Sequence, residues 1–469
     1  MVIKKIAAKR RAKVKEELYQ KALQDIKTER QRFLSIRDCC EILGADVTSV
    51  RLSKGSIDDV FTCICAWDYY LIPGCLYAAL PLYANLSPEK AMERGAKVLL
   101  TEKQESDYPC IVVPDVMAAY CKLCGHIREQ SRFRTIAVTG SVGKTTTKDM
   151  VKAVFSQTYK TFCDIENNNM ATLVGYLVQH IPNGTEAYIQ EVHEGDPGSA
   201  ESISKIIHPD VAVITNIGES HLGNFGSYEG LVKGVTDITA GMPENGIVII
   251  DRDDKLSATA PWHRKVVKVS VKDSSADYYA ENIHITEEGL IFDIVYSKGR
   301  ITAELHMYGT HNITDAMLAF AASVESGVAP EKAVQGLKSY KPKGMRQNVV
   351  KAGNRTLYID CFNAAVKSMK TALDTLGELP IKQGAKRIAI LGDMAELGED
   401  SETMHREVGR IAANSFIDIL ICYGPLSRGM AEEAKKESKL KVFHTENIAE
   451  LNRLVKENVG QNDAVLFKA

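Results

Sequence analysis

The chain has 469 residues, of which 45% are apolar and 25% are charged. This length favours two to four domains, and this composition is typical of a soluble enzyme with buried cores. The formal net charge of −2 argues against nucleic-acid binding as the main activity. The sequence contains no run of about 18 apolar residues, so we expect no transmembrane segment. The basic N-terminus lacks the apolar stretch of a secretory signal, so we expect a cytoplasmic protein.

Eleven cysteines are present, and eight of them precede residue 125. A chain of this size can bury a core without disulfides, and the cytosol keeps thiols reduced. Cys121 and Cys124, followed by His126, have part of a zinc-site spacing, but no second clean pair completes four ligands. The pattern therefore predicts small thiols buried along a helix.

Residues 1–33 contain neither glycine nor proline and predict one long helix, with lysine and arginine dominating its first half. Its apolar stripe is thin, which is typical of a solvated helix packed on the protein body or on a second chain. A docking element for an anionic surface is the alternative interpretation. We expect a basic helical extension that could bind a partner or mediate self-association.

Residues 34–132 predict a small α/β domain at the N-terminal side of the chain. Its expected elements are apolar runs at residues 60–66, 75–80 and 97–100, a strand at 111–113 and a helix at 116–129.

From residue 133 the pattern changes to alternating strands and helices, which implies a parallel, doubly wound sheet. The predicted strands are 135–138, 187–191, 211–214 and 246–250, and the predicted helices are 144–155, 200–207 and 228–239. Residues 265–306 favour antiparallel strands with a turn at 287–289, and helices are expected at 312–326 and 330–338. The central domain is therefore predicted to span residues 133–342.

The segment at residues 341–344 has the composition of a linker, and strand–helix alternation resumes after it. The predicted strands are 357–359, 387–391, 417–422 and 464–467, and the predicted helices are 367–376, 405–415 and 426–437. Residues 343–469 therefore predict a second, Rossmann-like α/β domain.

The strongest chemical signal is a glycine-rich loop between a predicted strand and a predicted helix. Its residues are Gly140, Ser141, Val142, Gly143, Lys144, Thr145 and Thr146. Glycines let backbone N–H groups turn inward onto phosphate oxygens, and the helix N-terminus adds partial positive charge. Lys144 can reach the β- and γ-phosphates, and the Thr145 hydroxyl can bind Mg²⁺. The loop predicts an ATP site.

Further motifs follow this loop in the chain. They are Asn167-Asn168-Asn169, Glu191 at a strand end, Ile214–His221 followed by Phe225-Gly-Ser, Gly309–Asn312, Gly344–Arg346, Asp360–Ala364 and Leu391–Gly398. From about residue 34 onward the chain resembles the Mur ligase family, and most closely its MurF-type branch. The resemblance implies an α/β fold with three domains, of which the first binds substrate, the central one holds ATP and the last is Rossmann-like.

The resemblance also implies a two-step ligation. ATP phosphorylates a carboxylate, and the amine of an amino acid or dipeptide attacks the resulting acyl phosphate. The expected substrate is a small-molecule or nucleotide-linked peptide. Adding D-alanyl-D-alanine to a UDP-muramoyl peptide is the first choice. A relative acting on a carboxylate outside peptidoglycan, or a nucleotide-binding scaffold that has lost ligation, is the alternative.

The family's site residues can be carried over by position. Catalytic roles fall on Lys144, Glu191, His221 and Arg346, Mg²⁺ ligation on Thr145, Glu191 and His221, ATP contacts also on Asn312, Arg346 and Asp360, and substrate contacts on Asn168, Asn169 and Asn363. Because Arg346 and Asp360 follow the linker, the resemblance implies that domain closure completes the site. Structural alternatives stay open, such as a salt-bridged carboxylate at Glu191 and a turn residue at Asn363.

The sequence departs from the family in its substrate-facing parts. Val235 stands where the family carries a lysine whose carbamate bridges metals, and Lys233 lies two residues earlier. The uridine-binding signatures of the first domain are not visible. Val366 replaces a proline after the Asp360 motif, which frees the backbone near the expected amine pocket.

Overall fold

The structure is a computed structural model. It describes residues 33–52, 55–80, 86–105, 107–164, 168–218, 222–342, 344–395, 397–437 and 440–469. The predicted helix at 1–33 thus lies, except for Phe33, outside the described residues. Two compact units are present. The first unit holds the described residues up to Lys148 together with Tyr159–Ile250 and Asp254–Val267, and the second unit holds Asp149–Thr158, Asp251–Asp253 and Lys268–Ala469. The three predicted domain ranges stay a prediction.

The first sheet of the first unit consists of four short parallel strands in the order β1-β2-β3-β4. The strands are β1 (Ile64–Cys65), β2 (Leu76–Ala78), β3 (Val98–Thr101) and β4 (Cys110–Val112). The accompanying helices are α1 (Ile36–Leu43), α2 (Pro88–Glu93) and α3 (Val116–Glu129). Asp115 caps α3 by accepting the N–H of Ala118 at 2.9 Å, which explains why this helix begins where the sequence predicts.

Five further strands pair in parallel, in the order β9-β8-β5-β7-β6, within a larger sheet. The strands are β5 (Arg134–Thr139), β6 (Thr161–Cys163), β7 (Ala187–Glu191), β8 (Val211–Ile214) and β9 (Ile247–Asp251). The helices between and after them are α4 (Lys144–Phe155), α5 (Ala171–Val178), α6 (Ser199–Ile207), α7 (Leu222–Phe225), α8 (Tyr228–Thr236) and α9 (Lys255–Thr259). Strand order reverses at β5, and ligands bind at the carboxyl ends of strands at such a switch point.

The second unit begins with strands and two helices. They are β10 (Lys265–Ser270, whose last three residues belong to this unit), β11 (Tyr278–Thr286), β12 (Gly289–Tyr296), β13 (Gly299–Leu305), α10 (His311–Glu325) and α11 (Pro330–Ser339). Strands β11, β12 and β13 are antiparallel, as predicted. The prediction was wrong for β10, which pairs with β11 in parallel. Ser270 accepts the N–H groups of Lys272 and Asp273 and turns the chain, so the short connection allows only two paired positions.

The rest of the second unit is a six-stranded sheet with the order β14-β15-β19-β16-β17-β18. Its strands are β14 (Asn348–Ala352), β15 (Arg355–Asp360), β16 (Arg387–Gly392), β17 (Ile419–Tyr423), β18 (Lys441–Thr445) and β19 (Ala464–Lys468). Its helices are α12 (Val366–Glu378), α13 (Ser401–Ala413), α14 (Arg428–Glu437) and α15 (Ile448–Asn458). All pairs except β14–β15 are parallel, which confirms an α/β arrangement.

Within the part of the chain that the structure describes, no helix is long and apolar enough to cross a membrane. The cysteines among the described residues are unbridged. Cys121 and Cys124 are buried on α3, as the sequence predicts.

Candidate active site

The glycine-rich loop lies at the carboxyl end of β5, which is flanked by β8 and β7. Gly140 has φ +128°, and a Cβ there would lie 2.2 Å from Thr215 Oγ1 and 2.7 Å from Asn216 O. Only glycine therefore allows the loop to pass this close to the end of β8. Helix α4 starts at Lys144, so its first N–H groups face the loop. The backbone has the arrangement that binds phosphate oxygens.

Residues after β8 hold the loop in shape. Asn216 Oδ1 accepts the N–H of Val142 at 3.2 Å, and Asn216 Nδ2 donates to Val142 O at 2.8 Å. Ser141 Oγ accepts the N–H of Gly218 at 2.8 Å. The sequence identified these residues only as part of a family motif. Their contacts give them a positioning role.

Lys144 projects back across the loop. Its Nζ donates to Gly140 O at 2.7 Å and to Glu194 Oε1 at 3.0 Å. The Glu194 side chain is completely buried, and that of Lys144 is 16% exposed. A buried carboxylate is costly unless it is paired, so Glu194 fixes the position of the ammonium group. Sequence reasoning missed Glu194. The available signal was a second acid three residues after Glu191.

Glu191 is the last residue of β7 and is buried. Its Oε2 accepts the Thr145 hydroxyl at 2.7 Å, and its Oε1 accepts Asn169 Nδ2 at 2.9 Å. The structure therefore brings together Thr145 and Glu191, two of the predicted metal ligands. Mg²⁺ prefers oxygen ligands such as hydroxyl and carboxylate groups, so Thr145 and Glu191 fit that ion.

The other residues predicted for the metal and substrate sites have different outcomes. Asn168 contributes its backbone oxygen, which accepts Gln190 Nε2 at 3.0 Å. His221 lies in the gap at 219–221, outside the described residues. Val235 is buried on α8, while Lys233 is directed to Asp237 at 2.7 Å and its side chain is 71% exposed. The position at which the resemblance implies a metal-bridging lysine is thus held by a buried valine.

A buried acid lies behind Glu191. Burial raises the pKa of Asp164 to about 7. The Lys148 ammonium, 3.5 Å away, opposes the rise, while the Glu191 carboxylate adds to it. The raised pKa of Asp164 is thus mainly a consequence of its burial.

In the second unit, Asn312 is completely buried on α10. Its Nδ2 donates to Tyr308 O at 2.7 Å and to Gln347 Oε1 at 2.8 Å. Within the described residues its Oδ1 has no hydrogen-bond partner. Buried acceptors are normally satisfied, so this oxygen is suited to accept a bond from a ligand amine.

Asp360, at the end of β15, is held by a lysine that sequence reasoning did not single out. Lys468 Nζ donates to Asp360 Oδ2 and to Asn363 O, both at 2.8 Å. Asn363 Oδ1 accepts the N–H of Ala364 at 2.8 Å, which is a turn contact. Arg346 places its guanidinium carbon 3.4 Å from the centre of the Phe362 ring.

Comparisons with known proteins agree with this arrangement. A family model described as the Mur ligase middle domain matches residues 138–323, and one described as Mur ligase, glutamate ligase domain matches residues 345–469. The chain is 35% identical over 388 residues to the UDP-N-acetylmuramoyl-tripeptide–D-alanyl-D-alanine ligase of Bacillus subtilis (strain 168). That alignment covers 81% of this chain and 83% of the relative.

Solved structures show the same fold. MurF from Acinetobacter baumannii has a TM-score of 0.78 at 24% identity, covering 93% of this chain and 96% of that one. A MurF ligase of Thermotoga maritima, solved in complex with ADP, has a TM-score of 0.74 at 22% identity, covering 87% of this chain and 93% of that one.

Proposed function

We infer the function of this chain from one premise: it belongs to the Mur ligase family, in its MurF-type branch. It is an ATP-dependent ligase that forms a C–N bond between a carboxylate and an amine. The reaction we propose adds D-alanyl-D-alanine to a UDP-N-acetylmuramoyl tripeptide, for which the Bacillus subtilis relative is named. A cytoplasmic location is part of the same proposal. The observation that carries the reaction class is the meeting of Lys144, Thr145 and Glu191 at one sheet edge.

The reaction has two steps. The γ-phosphoryl group of ATP passes to a carboxylate oxygen, which yields an acyl phosphate and ADP. The amine nitrogen then attacks the acyl carbon, the bond from that carbon to the phosphate oxygen breaks, and the nitrogen loses a proton as amide and phosphate form. The carboxylate is a poor electrophile, and phosphorylation supplies the leaving group.

Residues of the glycine-rich loop bind and orient the triphosphate. The N–H groups at the start of α4 and the Lys144 ammonium face the phosphate oxygens, where negative charge spreads during transfer. Thr145 and Glu191 would hold Mg²⁺, which would supply positive charge to offset the negative charge on those oxygens. Glu194 keeps Lys144 at the loop before nucleotide arrives.

The remaining site residues belong to the same proposal. Asn312 and Asp360 hold the adenosine, and the unsatisfied Asn312 Oδ1 supports the first of these roles. Arg346 stabilises the transferring phosphoryl group. His221 adds a metal ligand. The substrates contact Asn168, Asn169 and Asn363.

A product assay tests the reaction. Purified chain is incubated with Mg·ATP, the UDP-muramoyl tripeptide and D-alanyl-D-alanine, and the product mass, ADP and phosphate are measured. We expect all three products only when acid and amine are both present. Lys144→Met should lower turnover by on the order of 10²–10³-fold, since it removes one charge-stabilising donor. Lys152→Met, an exposed lysine of the same helix, is the matched control.

Two outcomes would count against the proposal. Nucleotide binding without ADP release for any acid–amine pair would leave only a nucleotide-binding scaffold. Turnover with another carboxylate but not with the muramoyl tripeptide would keep the ligase chemistry and refute the substrate.

A further inference from the structure

Three cysteines outside the proposed active site form a compact cluster in the first unit. Cys63, Cys65 and Cys75 are fully buried, and their Sγ atoms all lie within 4.8 Å of one another. The Sγ atoms of Cys65 and Cys75 are 3.7 Å apart. We call these three residues the thiol cluster. Nothing in the proposed ligation uses it.

The pleat of the sheet explains how the three thiols meet. Side chains alternate between the two faces of a strand, so Cys63 and Cys65 share one face. Cys75 precedes Leu76, which pairs with Ile64, and this places Cys75 beside the other two cysteines on the neighbouring strand. Ile64 and Leu76 face a different hydrophobic cluster. Sheet register, rather than sequence spacing, thus assembles the cluster.

Two phenol groups add an independent observation. The hydroxyls of Tyr77 and Tyr176 are buried and have no hydrogen-bond partner in the described part of the chain. Both tyrosines pack in the same hydrophobic cluster as the three cysteines. Unsatisfied buried hydroxyls are uncommon in folded proteins.

We propose that the thiol cluster binds a thiophilic d¹⁰ cation, Zn²⁺ or Cu⁺, through its three sulfurs, with the Tyr77 and Tyr176 hydroxyls beside it. Tetrahedral coordination with Zn–S bonds of about 2.3 Å places sulfurs about 3.8 Å apart. The Cys65–Cys75 separation of 3.7 Å fits this spacing. Soft thiolate ligands select such ions over Mg²⁺. The site ties β1 to β2, so its role is structural and independent of the proposed ligation.

Metal binding at the cluster exchanges thiol protons for the cation. The three cysteines lose their protons when the ion binds, and the phenol hydroxyls can donate hydrogen bonds to the resulting thiolates.

A metal titration of the full-length chain tests the proposal. Reduced protein is stripped with a chelator, and Zn²⁺ or Cu⁺ is added in separate arms against a chromophoric competitor. The native chain should bind one equivalent of Zn²⁺ or of Cu⁺, and the Cys75→Ala variant should not bind that ion. Cys110→Ala is the matched control, since Cys110 is buried in the same hydrophobic cluster but bonds to Tyr108 O at 3.3 Å. The Cys110→Ala variant should still bind one equivalent of the ion.

A second measurement covers the case in which Cys75→Ala fails to fold. Tyr77→Phe and Tyr176→Phe keep the packing volume and remove one hydroxyl each, and each should weaken the affinity by about 10- to 100-fold. Co²⁺ loaded into the native chain should show a sulfur-to-cobalt charge-transfer band. The proposal is overturned if the stripped native chain binds neither ion, or if Cys75→Ala or both phenylalanine variants bind like the native chain. The thiols would then be packed core residues.

Discussion

Lys144 Nζ lies 3.0 Å from Glu194 Oε1, so the lysine that we propose to bind phosphate already has a counter-ion inside the protein. The carboxylate is completely buried and the ammonium is nearly so. Phosphate oxygens must therefore share or replace this partner when nucleotide binds.

Glu194→Gln should lower the free energy of unfolding by roughly 1–3 kcal/mol, because it leaves the Lys144 charge without its anion. Saturating Mg·ATP should reduce the difference in free energy of unfolding between this variant and the native chain, because phosphate supplies the missing negative charge. Thermal denaturation with and without nucleotide measures both effects. Glu201→Gln, which breaks an exposed ion pair with Lys205, should change stability by no more than about 0.5 kcal/mol. If nucleotide leaves this difference in stability unchanged, phosphate does not take over the partner role of Glu194 at Lys144.

Thr145→Val keeps the shape of the side chain and removes the hydroxyl that contacts Glu191. Turnover should fall by about 10²-fold, because the loss affects Mg²⁺ ligation and charge stabilisation together. Thr145→Ser should recover most of the activity. Steady-state rates across a Mg²⁺ titration check this. Equal rates for the valine and serine variants would exclude a role for the hydroxyl.

His311 should make the protein less stable in acid. Burial lowers the pKa of His311 from 6.5 to about 4, so between these values the unfolded chain binds a proton that the folded chain does not. The free energy of unfolding should then fall as pH drops from about 6.5 to 4, by at most about 1.4 kcal/mol per pH unit. His311→Gln should flatten this part of the profile in urea unfolding. His263→Gln, at an exposed position, should keep it.

Lys468→Met should strongly destabilise the second unit. The lysine side chain is 1% exposed and pairs with Asp360, so its loss leaves a largely buried carboxylate without a cation. We expect a loss of about 3–5 kcal/mol in chemical denaturation. The comparison is Lys370→Met, which removes an exposed pair with Asp374 and should change stability by at most about 1 kcal/mol. If both variants lose similar free energy of unfolding, burial of the ion pair does not determine the size of the loss.

Local signals predicted much of the secondary structure. Helices α3 and α4 have the predicted bounds, since a capping Asp115 and a glycine-rich loop mark their starts. The elements that were not predicted include strands β14 and β18 and helix α15. Exposed positions interrupt the apolar pattern of β14 and β18, so the hydrophobic periodicity of these edge strands is weak. The parallel β10–β11 pair was also missed, because strand direction depends on the path of the connection.

The sequence by itself determined the phosphate loop, the Mur ligase resemblance and the Thr145 and Glu191 candidates, because contiguous motifs and strand ends carry those signals. Tertiary structure decided which distant residues touch them. Glu194 reaches Lys144, and Asn216 braces Val142, only because β7 and β8 flank β5. The thiol cluster likewise depends on the register of β1 and β2. Strand order and register are set by packing of the whole sheet, and no local stretch of sequence contains them.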